Sequence, residues 1–148
     1  MGEETMIEGV ELTSLKIIPG DNGNVMHAMK RNERSFRGFG EAYFSTVTKG
    51  AVKAWKRHRE MTLNLVVPCG EILFVLWDDR SDSKSCGELL EIRLSPENYR
   101  RLTVPPMVWV GFKGVGDGTN MLLNIADIPH DPGESDQICK NDINYNWE

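Results

Sequence analysis

No run of about 18 apolar residues occurs in this chain of 148 residues, so the sequence offers no candidate for a membrane-spanning helix. Its acidic start, with Glu3 and Glu4, lacks the basic and apolar regions of a secretory leader. Basic charge is also short. Seventeen Lys and Arg stand against 22 Asp and Glu, a net charge of −5. Nucleic acid and anionic membrane both favour a net basic face, so neither is an expected partner. Cysteine is scarce: Cys69, Cys86 and Cys139 are odd in number and share no metal-ligand spacing. They read as reduced thiols of a cytoplasmic protein rather than as a disulfide framework. No amphipathic helix longer than about two turns is visible, and no internal repeat or linker. What remains is an ordinary globular composition, 40% hydrophobic and 26% charged, with a length that suits one domain spanning residues 1–148.

The signals that are present are those of short strands divided by turns. Residues 10–18 alternate and end at Pro19-Gly20-Asp21-Asn22-Gly23, and residues 25–29 and 40–47 give further strand-like runs. Pro68-Cys69-Gly70 has the composition of a tight turn between runs 63–67 and 71–78, which predicts a hairpin with one wet and one apolar face. Residues 89–94, 102–104, 108–112 and 120–125 complete about nine or ten strands. Ser95-Pro96-Glu97-Asn98 predicts a short helical turn, with serine as cap and proline at the first helical position. So many short strands at regular spacing predict an all-β sandwich or barrel, and a jelly roll suits the count.

The segment Gly50 to His58, GAVKAWKRH, carries the chemistry. It places three cations and a histidine on a predicted strand just before an apolar run. Strand alternation sends Lys56 and His58 to one side and Trp55 and Arg57 to the other. Neither Lys56 nor His58 suits a dry core, so a concave polar pocket accounts for them. An edge strand guarded by lysine against aggregation accounts for them equally well.

Four stretches in order, GAVKAWKRH, GEILFVLWDDR, LSPENYRRLTVPPMVWVGF and NDINYNW, resemble the dTDP-4-dehydrorhamnose 3,5-epimerase family. The resemblance runs from about Lys16 to Trp147, and its most specific part is SPENYRRLTVPP, where the family carries S-x-E-N-x-x-x-L-x-I-P. It implies a cupin jelly roll, a nucleotide-sugar substrate, a homodimer, and no metal or organic cofactor. The family strand G-V-L-R-G-L-H falls on Gly50 to Lys56, so Lys53 stands for the substrate-binding arginine and Lys56 for the histidine base. Related sugar-nucleotide ketoisomerases end this strand H-x-H, and His58 matches the second histidine. The family's V-D-x-R falls on Trp77 to Arg80, retaining Asp78 and Arg80. The aspartate of W-N-D-P, which orients the base, is retained as Asp142. Val110 stands where the family has a later histidine, and Leu123 where it has its tyrosine acid.

Abstracting a proton beside a sugar ketone needs a base near the carbon and a donor for the enolate oxygen. Histidine accepts protons near neutral pH without tuning, so His58 ranks above Lys56 as the base. A protonated Lys56, paired with Asp142, suits the electrophile. Lys53, Asn64, Asp78, Arg80 and Tyr43 are candidate substrate contacts, and Tyr43 or His130 could replace the missing acid. Asn64, in an apolar run, needs a hydrogen-bond partner if buried, and structural pairing serves as well as substrate. Arg100 and Arg101 could clamp a pyrophosphate, although a surface role is favoured. Trp55, Trp77 and Trp109 read as core, and His27 as a residue of the pocket rim or dimer interface. One surviving imidazole does not hold a transition metal, which argues against a metal-dependent cupin. The expected function is therefore epimerisation or ketoisomerisation of a 4-keto-6-deoxy sugar nucleotide, or alternatively non-catalytic binding of one. An open pocket where Lys56, His58 and Asp142 converge favours the enzyme; Lys56 sealed in a salt bridge favours the binding module.

Overall fold

The computed structural model describes residues 2–148. Its strands are β1 (Gly2–Glu4), β2 (Glu11–Ser14), β3 (Ile17–Ile18), β4 (Val25–Met26), β5 (Glu41–Val47), β6 (Val52–His58), β7 (Leu63–Cys69), β8 (Ile72–Trp77), β9 (Leu89–Leu94), β10 (Arg100–Val104), β11 (Trp109–Gly114), β12 (Asn120–Ala126) and β13 (Ser135–Gln137). Two single 3-10 turns, Pro132–Glu134 and Lys140–Asp142, lie in the C-terminal segment. One sheet has the order β1-β2-β10-β7-β12-β5 and the other β13-β6-β11-β8-β9, while β3 and β4 form a separate ribbon. All strand pairs are antiparallel. This is the all-β cupin jelly roll that the strand spacing and the resemblance predict.

The alternation along each strand decides which side chains meet between the sheets. In β7, Leu63, Leu65 and Val67 join the inter-sheet core, where they meet Ile72, Phe74 and Leu76 of β8 and Leu122 of β12. The other face of β8 is equally dry. Leu73 and Val75 pack with Trp55, Trp109, Ile143 and Trp147 in a second cluster, because the C-terminal segment folds back over that sheet. Trp55 is 1% exposed, and truncating so buried an aromatic costs about 3–5 kcal/mol. A strand covered on both sides needs no polar face, which explains the unbroken run ILFVLW in β8.

Two predictions about connections fail. β7 and β8 are not a hairpin: β7 pairs with β10 and β12, and β8 with β9 and β11. The chain changes sheets at Gly70, whose φ of 79° and whose lack of a Cβ let it pass Asn120 Oδ1 and the Thr119 carbonyl. Nor is Ser95-Pro96-Glu97-Asn98 helical. Ser95 and Asn98 bridge as a turn between β9 and β10, with Ser95 Oγ accepting the Asn98 N–H at 3.1 Å. Proline in the second of four turn positions presets that geometry as readily as it presets a helix start. The strands exceed nine or ten because β1 and β13 carry little apolar signal and residues 10–18 split into β2 and β3.

Candidate active site

β6 is flanked by β11 on one side and β13 on the other, so it is not an edge and its lysines guard no edge. Against β11 its register slips: Val110 faces Lys56, but Phe112 faces Lys53. Three steps along β6 thus match two along β11, which is a β-bulge. Lys53, Lys56 and His58 all line the cavity beside this bulge, as do Ala54 and Trp55. Arg57 does not line it. Its guanidinium lies 4.5 Å from the Trp109 ring centroid and pairs with Asp136 at 2.8 Å. Trp55 Nε1 donates to the Lys140 carbonyl at 3.0 Å and ties the second 3-10 turn to β6.

The cavity opens between the sheets and encloses about 830 Å³, within the range of small-molecule sites. β5, β7 and β12 line it from one sheet, β6 and β11 from the other, and residues 137–139 with Asp142 form a further wall. Leu63, Leu65, Val110, Phe112 and Leu122 make it apolar at depth, so the few polar groups stand out.

His58 is 8% exposed and lines this cavity. Its Nδ1 lies 2.7 Å from Glu134 Oε1. Glu134 is itself buried, and its second oxygen accepts the N–H groups of Glu60 and Met61, both at 2.9 Å. Burial alone would push this carboxyl up, but the hydrogen bonds from His58, Glu60 and Met61 outweigh it and hold Glu134 below the usual carboxylate range. Lys56 has no ion-pair partner among the described residues. Asp142 reaches the cavity wall, yet its carboxylate accepts the Cys139 N–H at 2.8 Å. The expected Lys56–Asp142 ion pair is not formed; the aspartate instead closes its own 3-10 turn. Lys53 Nζ donates to the Thr46 carbonyl at 2.9 Å and lies 5.9 Å from the Phe112 ring centroid. From the facing sheet, Tyr43 brings a hydroxyl that accepts from Asn124 Nδ2 at 3.2 Å.

The structure brings together Lys53, Lys56, His58, Asp142 and Tyr43 around one cavity. It takes Asn64, Asp78 and Arg80 away from it. Asn64 faces outward from β7, where its Oδ1 accepts from Thr103 Oγ1 at 2.6 Å and its Nδ2 donates to the Ser35 carbonyl at 3.2 Å. Both ends of its amide are satisfied by the protein, so structural pairing takes the place of substrate contact. Asp78 is wholly buried and accepts from Arg80 Nε at 2.8 Å and from Ser83 and Ser85 Oγ at 2.6 Å each. Burial opposes its charge, but Arg80 and the two serines prevail and hold its carboxyl far below the usual range. Arg80 also donates to the Glu8 carbonyl at 2.6 Å, so the pair locks a loop.

Arg101 differs from its expected surface role. It is fully buried and holds the Ala28 carbonyl, Glu33 and Ser35. His27 and His130 lie outside the cavity lining. Glu134 was missed by sequence reasoning: a glutamate between Pro132-Gly133 and Ser135 reads as solvated loop, and its partner is 76 residues away. Among the described residues, no group of three or more His, Cys, Asp or Glu is placed to hold a metal ion.

Known proteins are similar to this chain along most of its length. The crystal structure of a dTDP sugar isomerase from Desulfovibrio desulfuricans G20 superposes with a TM-score of 0.94 at 41% identity, over 98% of this chain and 94% of that one. A probable low-salt glycan biosynthesis epimerase, Agl13 of Haloferax volcanii, is 30% identical over 133 residues, 88% of this chain and 85% of that protein. The spore coat polysaccharide biosynthesis protein SpsL of Bacillus subtilis is 27% identical over 146 residues, 96% and 97% of the two chains. Residues 4–148 match the profile of one family along almost their whole length, and the chain belongs to it: the dTDP-4-dehydrorhamnose 3,5-epimerase family.

Proposed function

We propose that this protein epimerises a 4-keto-6-deoxy sugar nucleotide by removing a proton next to the ketone. The observation that carries this reading is Lys56, a cation on an open cavity wall with no ion-pair partner, two residues from an imidazole on the same face. His58 accepts the proton from carbon. The Lys56 ammonium lies alongside and stabilises the negative charge that develops on the ketone oxygen, a contribution of about 3–4 kcal/mol for a well-placed donor in a water-poor site. Tyr43 belongs to the opposite sheet, so its hydroxyl returns a proton to the other face of the planar enolate. Removal on one face and return on the other invert the carbon. Lys53 and Asp142, at the rim, orient the substrate.

The names of the D. desulfuricans and H. volcanii relatives, a dTDP sugar isomerase and a glycan epimerase, support the same substrate class and reaction. The test is solvent deuterium incorporation into candidate keto-sugar nucleotides, followed by NMR. Exchange beside the ketone with wild-type protein, lost in His58→Ala, is the expected result. Tight binding of the nucleotide sugar without any exchange would instead make the protein a non-catalytic binding module. Normal exchange in His58→Ala would remove His58 as the base.

A further inference from the structure

We infer that Glu134 is the positioning residue that sets the tautomer of His58, holding the proton on Nδ1 and leaving Nε2 as the free base facing the cavity. This rests on the proposed role of His58 and names the group that makes the role possible. The family resemblance assigns an orienting carboxylate at Asp142, but here that carboxylate is engaged by the Cys139 N–H. Glu134 has the geometry instead. One oxygen lies 2.7 Å from His58 Nδ1, and the other is held by two backbone N–H groups at 2.9 Å.

A carboxylate held ionised only accepts hydrogen bonds, so the imidazole nitrogen facing it carries a hydrogen. In neutral His58 that hydrogen is on Nδ1, and the lone pair is on Nε2. The backbone donors prevent Glu134 from swinging away. β13 reinforces them, since Ser135 pairs with His58 in register and Asp136 bridges both Arg57 and Arg59. When His58 takes a proton from substrate, Glu134 stabilises the resulting imidazolium. The other titratable groups around the cavity are Lys53 and Lys56 of β6, Cys139 and Asp142 of the C-terminal wall, and Tyr43 of β5. Glu134 is the one hydrogen-bonded to the imidazole.

Glu134→Gln tests this without removing the side chain. A glutamine can donate to Nδ1, which would move the hydrogen to Nε2 and silence the base. ¹⁵N NMR of the substrate-free protein reads the tautomer directly, independently of any reaction. Wild type is expected to show Nε2 as the unprotonated nitrogen and Glu134→Gln to reverse this. Deuterium exchange should fall by about 10²–10⁴-fold, the range of a lost general base. Glu134→Asp should recover part of the rate and the wild-type tautomer, which a merely structural role would not require. Nε2 protonated in wild type, or tautomer and rate unchanged in Glu134→Gln, would overturn the assignment. If wild type shows the stated tautomer but no substrate exchanges, the reaction fails while the positioning stands.

Discussion

Two neighbouring groups of charged side chains in this jelly roll are used in opposite ways. In one, Asp78 spends its carboxylate on Arg80, Ser83 and Ser85, and Arg80 also holds the Glu8 carbonyl. In the other, Lys56 has no counter-charge among the described residues, and His58 lines a cavity with Nδ1 committed to Glu134. The first group is closed and its charges answer one another. The second borders an open cavity. In the sequence both looked like polar residues at strand ends retained by a family of enzymes. Partner count separates them: a buried charge with every hydrogen-bonding site filled stabilises a loop, and one left unfilled beside a cavity is available for chemistry.

Substitutions in the two groups should therefore fail in different ways. The largest effect is expected for His58→Gln, which should lower deuterium exchange by about 10²–10⁴-fold, while its amide N–H still offers the Glu134 carboxylate a donor and so keeps most of the stability. Asp78→Ala should behave in the opposite sense. Removing one partner of a buried pair leaves Arg80 uncompensated and should cost about 3–5 kcal/mol in urea denaturation, with exchange per folded molecule unchanged. Lys56→Met should slow exchange by about 10²–10³-fold with little loss of stability, because no ion pair is broken. A large drop in stability there would erase the contrast. Thr103→Val, which leaves the buried Asn64 Oδ1 without its donor, should cost about 1–3 kcal/mol and leave exchange intact.

The smallest test is the dependence of stability on pH. Asp78, Glu134 and Glu33 all have folded-state carboxyls held below their usual range. Their contributions are present in full above the unfolded carboxylate value of about 4 and are lost as pH falls toward the folded values. The part of stability these carboxyls supply should thus decline as pH falls into the acid range. Asp78→Asn should flatten that acid limb more than substitutions at the cavity do.

The fold was legible because β5 to β12 carry their signal locally, in alternating or continuous apolar runs bounded by turns. Residues 89–94 coincide with β9, and the runs at 120–125 and 40–47 end within a residue of β12 and β5. The pairing of strands was less legible. Nothing within Pro68-Cys69-Gly70 tells whether the chain reverses in one sheet or crosses to the next; the dry second face of β8 decides that, and residues 143–147 supply it. The site divides in the same way. His58 and Lys56 were visible as misfits on a strand, and Tyr43 as a neighbour on the preceding one. Lys53 lines the same cavity beside a bulge against β11, and Glu134 meets His58 only across 76 residues. Asp142 accepts from the Cys139 N–H instead of pairing with Lys56, which no motif records.

The wide separation of His58 and Glu134 also bears on how activity arises during folding. Closing so long a segment is entropically slow compared with forming a turn or hairpin. No fragment holding β6 and its near neighbours alone would present a prepared base, since the carboxylate arrives with the segment that seals the second sheet. The imidazole thus reports completion: its hydrogen bond to Glu134 exists only when the C-terminal wall is seated against β6.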